Sequence, residues 1–146
     1  VNYLDDAELA LLAASEASVV YCPGSSAFFG HVGHPYPRML AAGVNVALGT
    51  DSLASNTSLS VLAEMRRVRA EGRVDNATIL HMGTLAGARA LGRAASIGSL
   101  EAGKQADWVA LDLPAGTAQP LETILTAETP VREVGIGGRG VWARDA

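Results

Sequence analysis

The sequence has a single cysteine, Cys22, among its 146 residues. No intramolecular disulfide can form, and this cysteine usage favours a cytoplasmic location. No apolar run is long enough to cross a bilayer and no signal-peptide pattern is present, so we expect no membrane partner. Basic residues are scarce too, because the net charge is −4 and the densest basic cluster is the trio Arg66, Arg67 and Arg69. This balance argues against a nucleic-acid partner.

What the chain does contain is enough apolar material for a core. Apolar residues make up 49% of the sequence and charged residues only 18%, which excludes a disordered chain. The length suits one domain, or a small domain with an appendage. Residue 1 is Val rather than Met and lies inside a predicted structural unit, which predicts a fragment or a processed product.

Helical and strand patterns alternate over the first two thirds of the chain. The apolar spacing predicts helices over 4–14, 38–43, 58–70, 75–82 and 85–91, strands over 18–22 and 44–50, and a loop over 25–37. This alternation is typical of an α/β protein with a parallel sheet.

The last third of the chain has a different pattern. A strand is predicted over 108–111, and two further strands flank the pair Gly137-Gly138, which indicates an antiparallel hairpin. We therefore predict an α/β part over residues 1–97 and a small β part over residues 98–146.

Asp51 is the most informative candidate for a functional residue. It follows a largely apolar run that includes Val44, Val46 and Leu48, which predicts a strand buried on both faces. A carboxylate at the end of such a strand is costly unless a cation compensates it. In barrels of alternating strands and helices, this end carries the chemistry. The alternative is that Asp51 caps the next helix, with Ser52 or Asn56 competing for that position.

Four segments, SVVYCP, LGTDSLASN, SLSVLAEMR and GSLEAGKQADWVALD, occur here in one order. Together they resemble the C-terminal half of a metal-dependent amidohydrolase of the cytosine deaminase and chlorohydrolase group, over roughly Val1 to Asp145. The resemblance implies the C-terminal part of a (β/α)8 barrel, with strands 18–22 and 44–50 as its seventh and eighth. A small antiparallel segment of a β-sandwich would follow from residue 98.

The resemblance also implies a chemistry for Asp51. It would bind a divalent metal, Zn or Fe, and accept a proton from the attacking water. The intact enzyme would hydrolyse a C–N or C–Cl bond of a small, nitrogen-containing heterocyclic substrate. If the bond is C–N, the enzyme would be a deaminase. Ser25 and Ser26 fall where many relatives have a Ser-Asn pair near the substrate, and Asn56 would order the loop after Asp51 or contact substrate.

His31 and His34 form an H-x-x-H pair in the loop after the first strand. On the family template this loop overhangs the mouth of the active site, where either histidine could touch substrate. Together with Asp51 they could in principle supply three metal ligands. The favoured interpretation is a solvent-facing loop.

Two other side chains have local interpretations. Glu64 lies among apolar residues of a predicted helix, where an acid/base role is one interpretation and an ion pair with Arg67, three residues on, is the favoured one. Cys22 follows a buried strand with no base nearby in the sequence, which favours an inert core thiol over a nucleophile.

The histidines that relatives carry on their first, fifth and sixth strands are missing from this sequence. One carboxylate does not hold a catalytic metal, which usually takes about three protein ligands, so the chain alone is expected to be inactive and metal-free. Its open strand edges predict poor stability, a homo-oligomer, or dependence on the missing N-terminal half. The rival hypothesis is a non-catalytic α/β module that binds a partner or self-associates.

Overall fold

A computed structural model describes residues 2–144. In chain order the elements are α1 (Asp6–Ala13), β1 (Ser18–Tyr21), α2 (Pro23–Phe28), α3 (Tyr36–Ala41), β2 (Asn45–Leu48), α4 (Val61–Glu71), α5 (Asn76–Met82), α6 (Leu85–Ala90), β3 (Trp108–Leu111), α7 (Pro120–Thr126), β4 (Val131–Ile136) and β5 (Arg139–Ala143). Val1 and Asp145, the predicted limits of the family resemblance, lie outside the described residues. Within them, no helix combines the length and apolar content that crossing a bilayer requires.

The first two strands form a parallel pair, as the alternating pattern predicted. Val19 pairs with Val46 and Tyr21 with Leu48. β2 is buried at Val46, Ala47 and Leu48, which confirms the prediction of a strand enclosed on both faces. β1 has one exposed face, since Val20 keeps 54% of its surface in contact with solvent.

Helices cover the parallel pair and enclose the core. Its fully buried members include Tyr36, Met39, Val68, Ile79 and Met82. Leu125 of α7 also joins this core, at 2% exposure. Part of the chain after residue 97 therefore packs against the α/β part, and the division into two domains stays a prediction.

The remaining strands form an antiparallel sheet in the order β3-β4-β5. Gly137 and Gly138 connect β4 to β5 with φ values of 57° and 78°. A two-residue turn with positive φ at both positions matches the twist of a hairpin, and this conformation favours glycine. The predicted hairpin is confirmed.

Two helices were not predicted. α2 occupies the start of the region interpreted as a loop, because Pro23 fits the first helical turn and residues 23–26 are buried against the core. α7 also begins with a proline, Pro120, and places Leu125 inward. α2 was not predicted because its sequence is rich in Gly, Ser and Pro. Its backbone is stabilised by contacts with residues far away in the sequence.

Candidate active site

The ends of β1 and β2 are kept together by one glycine. The Gly49 N–H donates to the Tyr21 carbonyl oxygen at 2.9 Å, which extends the pairing past the last strand residue. A Cβ at position 49 would lie 2.7 Å from Val20 Cγ1. Only glycine permits this approach, and it brings Cys22 and Asp51 to the same edge of the sheet.

Asp51 adopts an unusual backbone conformation. Its φ is 57°, and it is the one non-glycine residue of the described chain with positive φ. Such a conformation costs roughly 1–2 kcal/mol and persists where surrounding contacts enforce it, as in many functional sites. The helix-capping alternative is wrong, because α4 begins ten positions later and Ser60 caps it by accepting from the Ala63 N–H at 3.2 Å.

Two serine hydroxyls fix the Asp51 carboxylate. Ser55 and Ser25 both donate to Oδ2, each at 2.8 Å. These hydrogen bonds lower the pKa of Asp51 below its ordinary value. The bond from Ser55 has the largest effect, followed by those from Ser25 and the Ser52 backbone N–H. Asp51 is exposed, so the argument from burial does not apply, and the two hydroxyls stabilise its charge. Sequence reasoning missed Ser55.

Beneath this carboxylate lies a second, buried one. Glu64 is 1% exposed. Its Oε2 accepts from the Gly24 N–H at 2.7 Å, and its Oε1 accepts from Asn56 Nδ2 at 3.1 Å. Arg67 Nε lies 3.5 Å from Oε1, which confirms the predicted ion pair. The two distant partners could not be read from the sequence.

Asn56 ties the loop after β2 to this layer. Its Nδ2 also donates to the Thr50 carbonyl oxygen at 2.8 Å, and its Oδ1 accepts from the Thr57 N–H at 2.8 Å. The predicted ordering of the loop is confirmed, whereas a contact of Asn56 with substrate stays a prediction.

An open cleft of about 230 Å³ surrounds Asp51. Its lining brings together most of the candidates named from the sequence: Cys22, Ser25, Ser26, His31, His34 and Asp51. Burial raises the pKa of the Cys22 thiol, which therefore stays neutral at pH 7. The cleft lies at the carboxyl ends of the parallel strands, where α/β proteins place their ligands.

The two loop histidines have different environments. His31 is partly exposed, and its Nδ1 lies 3.1 Å from the Tyr3 hydroxyl. His34 is buried, stacks on Tyr21 with ring centroids 4.1 Å apart, and accepts from the Tyr36 N–H at 3.2 Å. Burial lowers the pKa of His34 to about 4. A solvent-facing position is therefore wrong for His34, which belongs to the wall beneath the cleft.

The donors at the cleft do not complete a metal site. No group of three or more His, Cys, Asp or Glu side chains converges on one point within residues 2–144. The proposed set of His31, His34 and Asp51 is thus not assembled. Asp51 offers a carboxylate oxygen suited to a divalent metal. A catalytic zinc takes roughly three protein ligands, and Asp51 would be one of them.

The amidohydrolase family matches residues 2–141. The chain belongs to this family. It is 43% identical to a 5-methylthioadenosine/S-adenosylhomocysteine deaminase from Moorella thermoacetica over 119 residues, which cover 76% of this chain and 28% of that one. It is 37% identical to a probable guanine deaminase from Deinococcus radiodurans, over 97% of this chain and 37% of that one.

Solved structures show the same relationship. An adenosine deaminase from Xanthomonas campestris with bound zinc is similar at a TM-score of 0.85 and 38% identity, over 95% of this chain and 35% of that one. The E. coli guanine deaminase, at 23% identity and a TM-score of 0.84, shares the fold. The chain spans roughly a quarter to two fifths of the length of these proteins.

Proposed function

We propose that this chain is part of a metal-dependent amidohydrolase that deaminates a nitrogen heterocycle. It would supply the last two strands of the enzyme's (β/α)8 barrel and the residue that accepts the proton. One observation carries the proposal: an ionised carboxylate, Asp51, is held by two hydroxyls in a cleft at the carboxyl ends of β1 and β2. Family membership favours this enzyme over a non-catalytic module.

Both serine hydroxyls bind the same oxygen of the Asp51 carboxylate, Oδ2, and neither binds Oδ1. Ser25 and Ser55 hold Oδ2, so the carboxylate keeps one orientation. Oδ1 remains for the proton of an attacking water, which Asp51 would later return to the leaving amine. Because its pKa is lowered, Asp51 is a weak base, and it needs a water more acidic than bulk water. A divalent metal, Zn or Fe, supplies that acidification when bound.

The partners of Asp51 in metal binding would come from outside residues 2–144. Within residues 2–144 no three His, Cys, Asp or Glu side chains converge to complete a metal site, so we assign the reaction to the whole protein that contains this segment. Val20, on the exposed face of β1, marks a surface that further barrel strands or a second copy of the chain would cover.

The substrate class follows from what the relatives' names share. They name adenosine derivatives, guanine and an s-triazine, all nitrogen heterocycles, which favours an exocyclic amine as the leaving group and leaves C–Cl hydrolysis as the alternative. We propose that Ser26 and His31, which line the cleft with Asp51, contact this ring. His34 and Asn56 would shape the site from behind, through Tyr36 and Glu64.

The test is release of ammonia by the whole protein from 5-methylthioadenosine, S-adenosylhomocysteine, adenosine, guanine and an amino-s-triazine. We expect turnover of at least one, and a fall in kcat of roughly 10²–10⁴-fold in Asp51→Asn. Asp75→Asn is the matched control, because Asp75 is an exposed helix cap whose role asparagine can fill. The proposal is wrong if no substrate is deaminated or if Asp51→Asn works normally.

A further inference from the structure

The carboxylate of Glu64 is buried, which is energetically unfavourable for a charged group. It lies in α4 at 1% exposure, and burial of an ionised carboxylate costs several kcal/mol unless hydrogen bonds and a cation compensate it. Three groups do so: the Gly24 N–H, Asn56 Nδ2 and Arg67 Nε. Arg67 alone would make an ordinary helix-surface ion pair. The other two partners lie 40 and 8 residues away in the chain.

Those two partners are the immediate neighbours of the serines that hold Asp51. Gly24 precedes Ser25, and Asn56 follows Ser55. Each oxygen of Glu64 therefore fixes one of the two backbone segments that deliver a hydroxyl to Asp51 Oδ2.

The two segments also pack closely against each other. A Cβ at Gly24 would lie 2.6 Å from Asn56 Nδ2, so the start of α2 and the loop after β2 meet directly above Glu64. Asn56 Nδ2 also donates to the Thr50 carbonyl, one residue before Asp51. A displacement of Asn56 is thus transmitted to both sides of the Asp51 backbone.

We propose that Glu64 is a positioning residue for Asp51: it holds Ser25 and Ser55 at the distance at which both hydroxyls fix one carboxylate oxygen. The inference rests on the proposed function, since the orientation of Asp51 matters for turnover. Glu64 does not line the cleft and acts through its neighbours.

The variant Glu64→Gln tests this geometry. A glutamine amide must direct its NH2 toward either the Gly24 N–H or Asn56 Nδ2, both of which are donors, so one bridge is lost. In the whole protein we expect kcat to fall about 10–100-fold with KM within about twofold, because misplacement of a reacting group affects the chemical step. Glu122→Gln is the control, since Glu122 of α7 pairs with Arg69 of α4 and does not line the cleft.

A double-mutant cycle separates positioning from general destabilisation. In a Ser25→Ala/Ser55→Ala background, Glu64 has no hydroxyls left to position, so adding Glu64→Gln should change kcat less than about twofold. An undiminished effect in that background, an unchanged kcat in Glu64→Gln alone, or an equal loss in Glu122→Gln would overturn the inference.

A second readout does not depend on turnover. Exchange of the Gly24 amide hydrogen or of the Asn56 side-chain amide hydrogens, followed by NMR, should accelerate at least about tenfold in Glu64→Gln and stay unchanged in Glu122→Gln; acceleration of neither would refute the inference. Lack of turnover by the unmodified protein would refute the proposed function instead. If Glu64→Gln does not fold, Asn56→Ser removes the bond from Asn56 to Glu64 and should lower kcat; an unchanged kcat would contradict the inference.

Discussion

The parallel pair with its helices and the antiparallel sheet bury their residues very differently. Three of the four residues of β2 are buried, whereas all five residues of β5 are exposed. Apolar side chains of the antiparallel sheet face solvent, among them Val109, Ile136, Val141 and Trp142. The first region has a core of its own, and the second contributes to it mainly through Leu125 of α7.

This contrast explains where the candidate site can be built. A carboxylate is held in one orientation only if the groups that hold it cannot move. The helical region supplies such groups, because Glu64, Ser25 and Ser55 are all buried. The open antiparallel sheet offers no comparable enclosure, and the candidate residues all lie outside it.

The largest expected effect tests the contrast directly. Ile79 is fully buried in α5, so Ile79→Ala should lower the free energy of unfolding by about 2–5 kcal/mol. Val141, at 56% exposure in β5, should lose less than about 1 kcal/mol on Val141→Ala. Urea unfolding of both variants measures the difference. Equal losses would mean that the antiparallel sheet has a covered core in solution.

A smaller effect concerns the acid stability of the helical region. The pKa of His34 is lowered by burial to about 4, below its value of about 6.5 in an unfolded chain, so the unfolded state binds the proton more tightly. The stability that neutral His34 gives is present above pH 6.5 and is lost as pH falls toward 4, by about 3 kcal/mol. The free energy of unfolding measured across this pH range should show the loss of stability. The variant His34→Phe keeps the stacking on Tyr21 but cannot bind a proton, so its stability should depend less on pH.

The smallest effect has the opposite sign. Gly87 lies inside α6, and a Cβ there would meet nothing within 4 Å, so Gly87→Ala should raise the free energy of unfolding by roughly 0.5–1 kcal/mol. Gly24→Ala, whose Cβ would collide with Asn56, should instead lower it by about 1–3 kcal/mol. Thermal unfolding of the pair measures both, and stabilisation by Gly24→Ala would show that α2 and the loop after β2 are not in close contact.

Local patterns were sufficient for much of the fold. The apolar run through Val46 predicted a buried strand, and the Gly137-Gly138 pair predicted the hairpin, because both signals depend on neighbouring residues. α7 carried a readable signal, with Pro120 in its first turn and Leu121, Ile124 and Leu125 at helical spacing. α2 carried no such signal, because its six residues are stabilised by burial and by the hydrogen bond from the Gly24 N–H to Glu64.

The site was only partly predictable for the same reason. Asp51 could be found from its place at the end of a strand. Its hydroxyl partners and the Glu64 layer beneath it join segments up to 40 residues apart, and no local period encodes such contacts. His34 was misplaced because a polar loop does not reveal that Tyr21 and Tyr36 enclose one of its histidines.

The most direct test of the account is anomalous diffraction at the zinc edge from crystals of the whole protein grown with zinc. We predict a zinc ion within about 2.0–2.2 Å of an Asp51 carboxylate oxygen, with its other ligands from outside residues 2–144. A zinc ion bound elsewhere, with Asp51 outside coordination distance, would contradict the central claim that Asp51 belongs to a hydrolytic metal site.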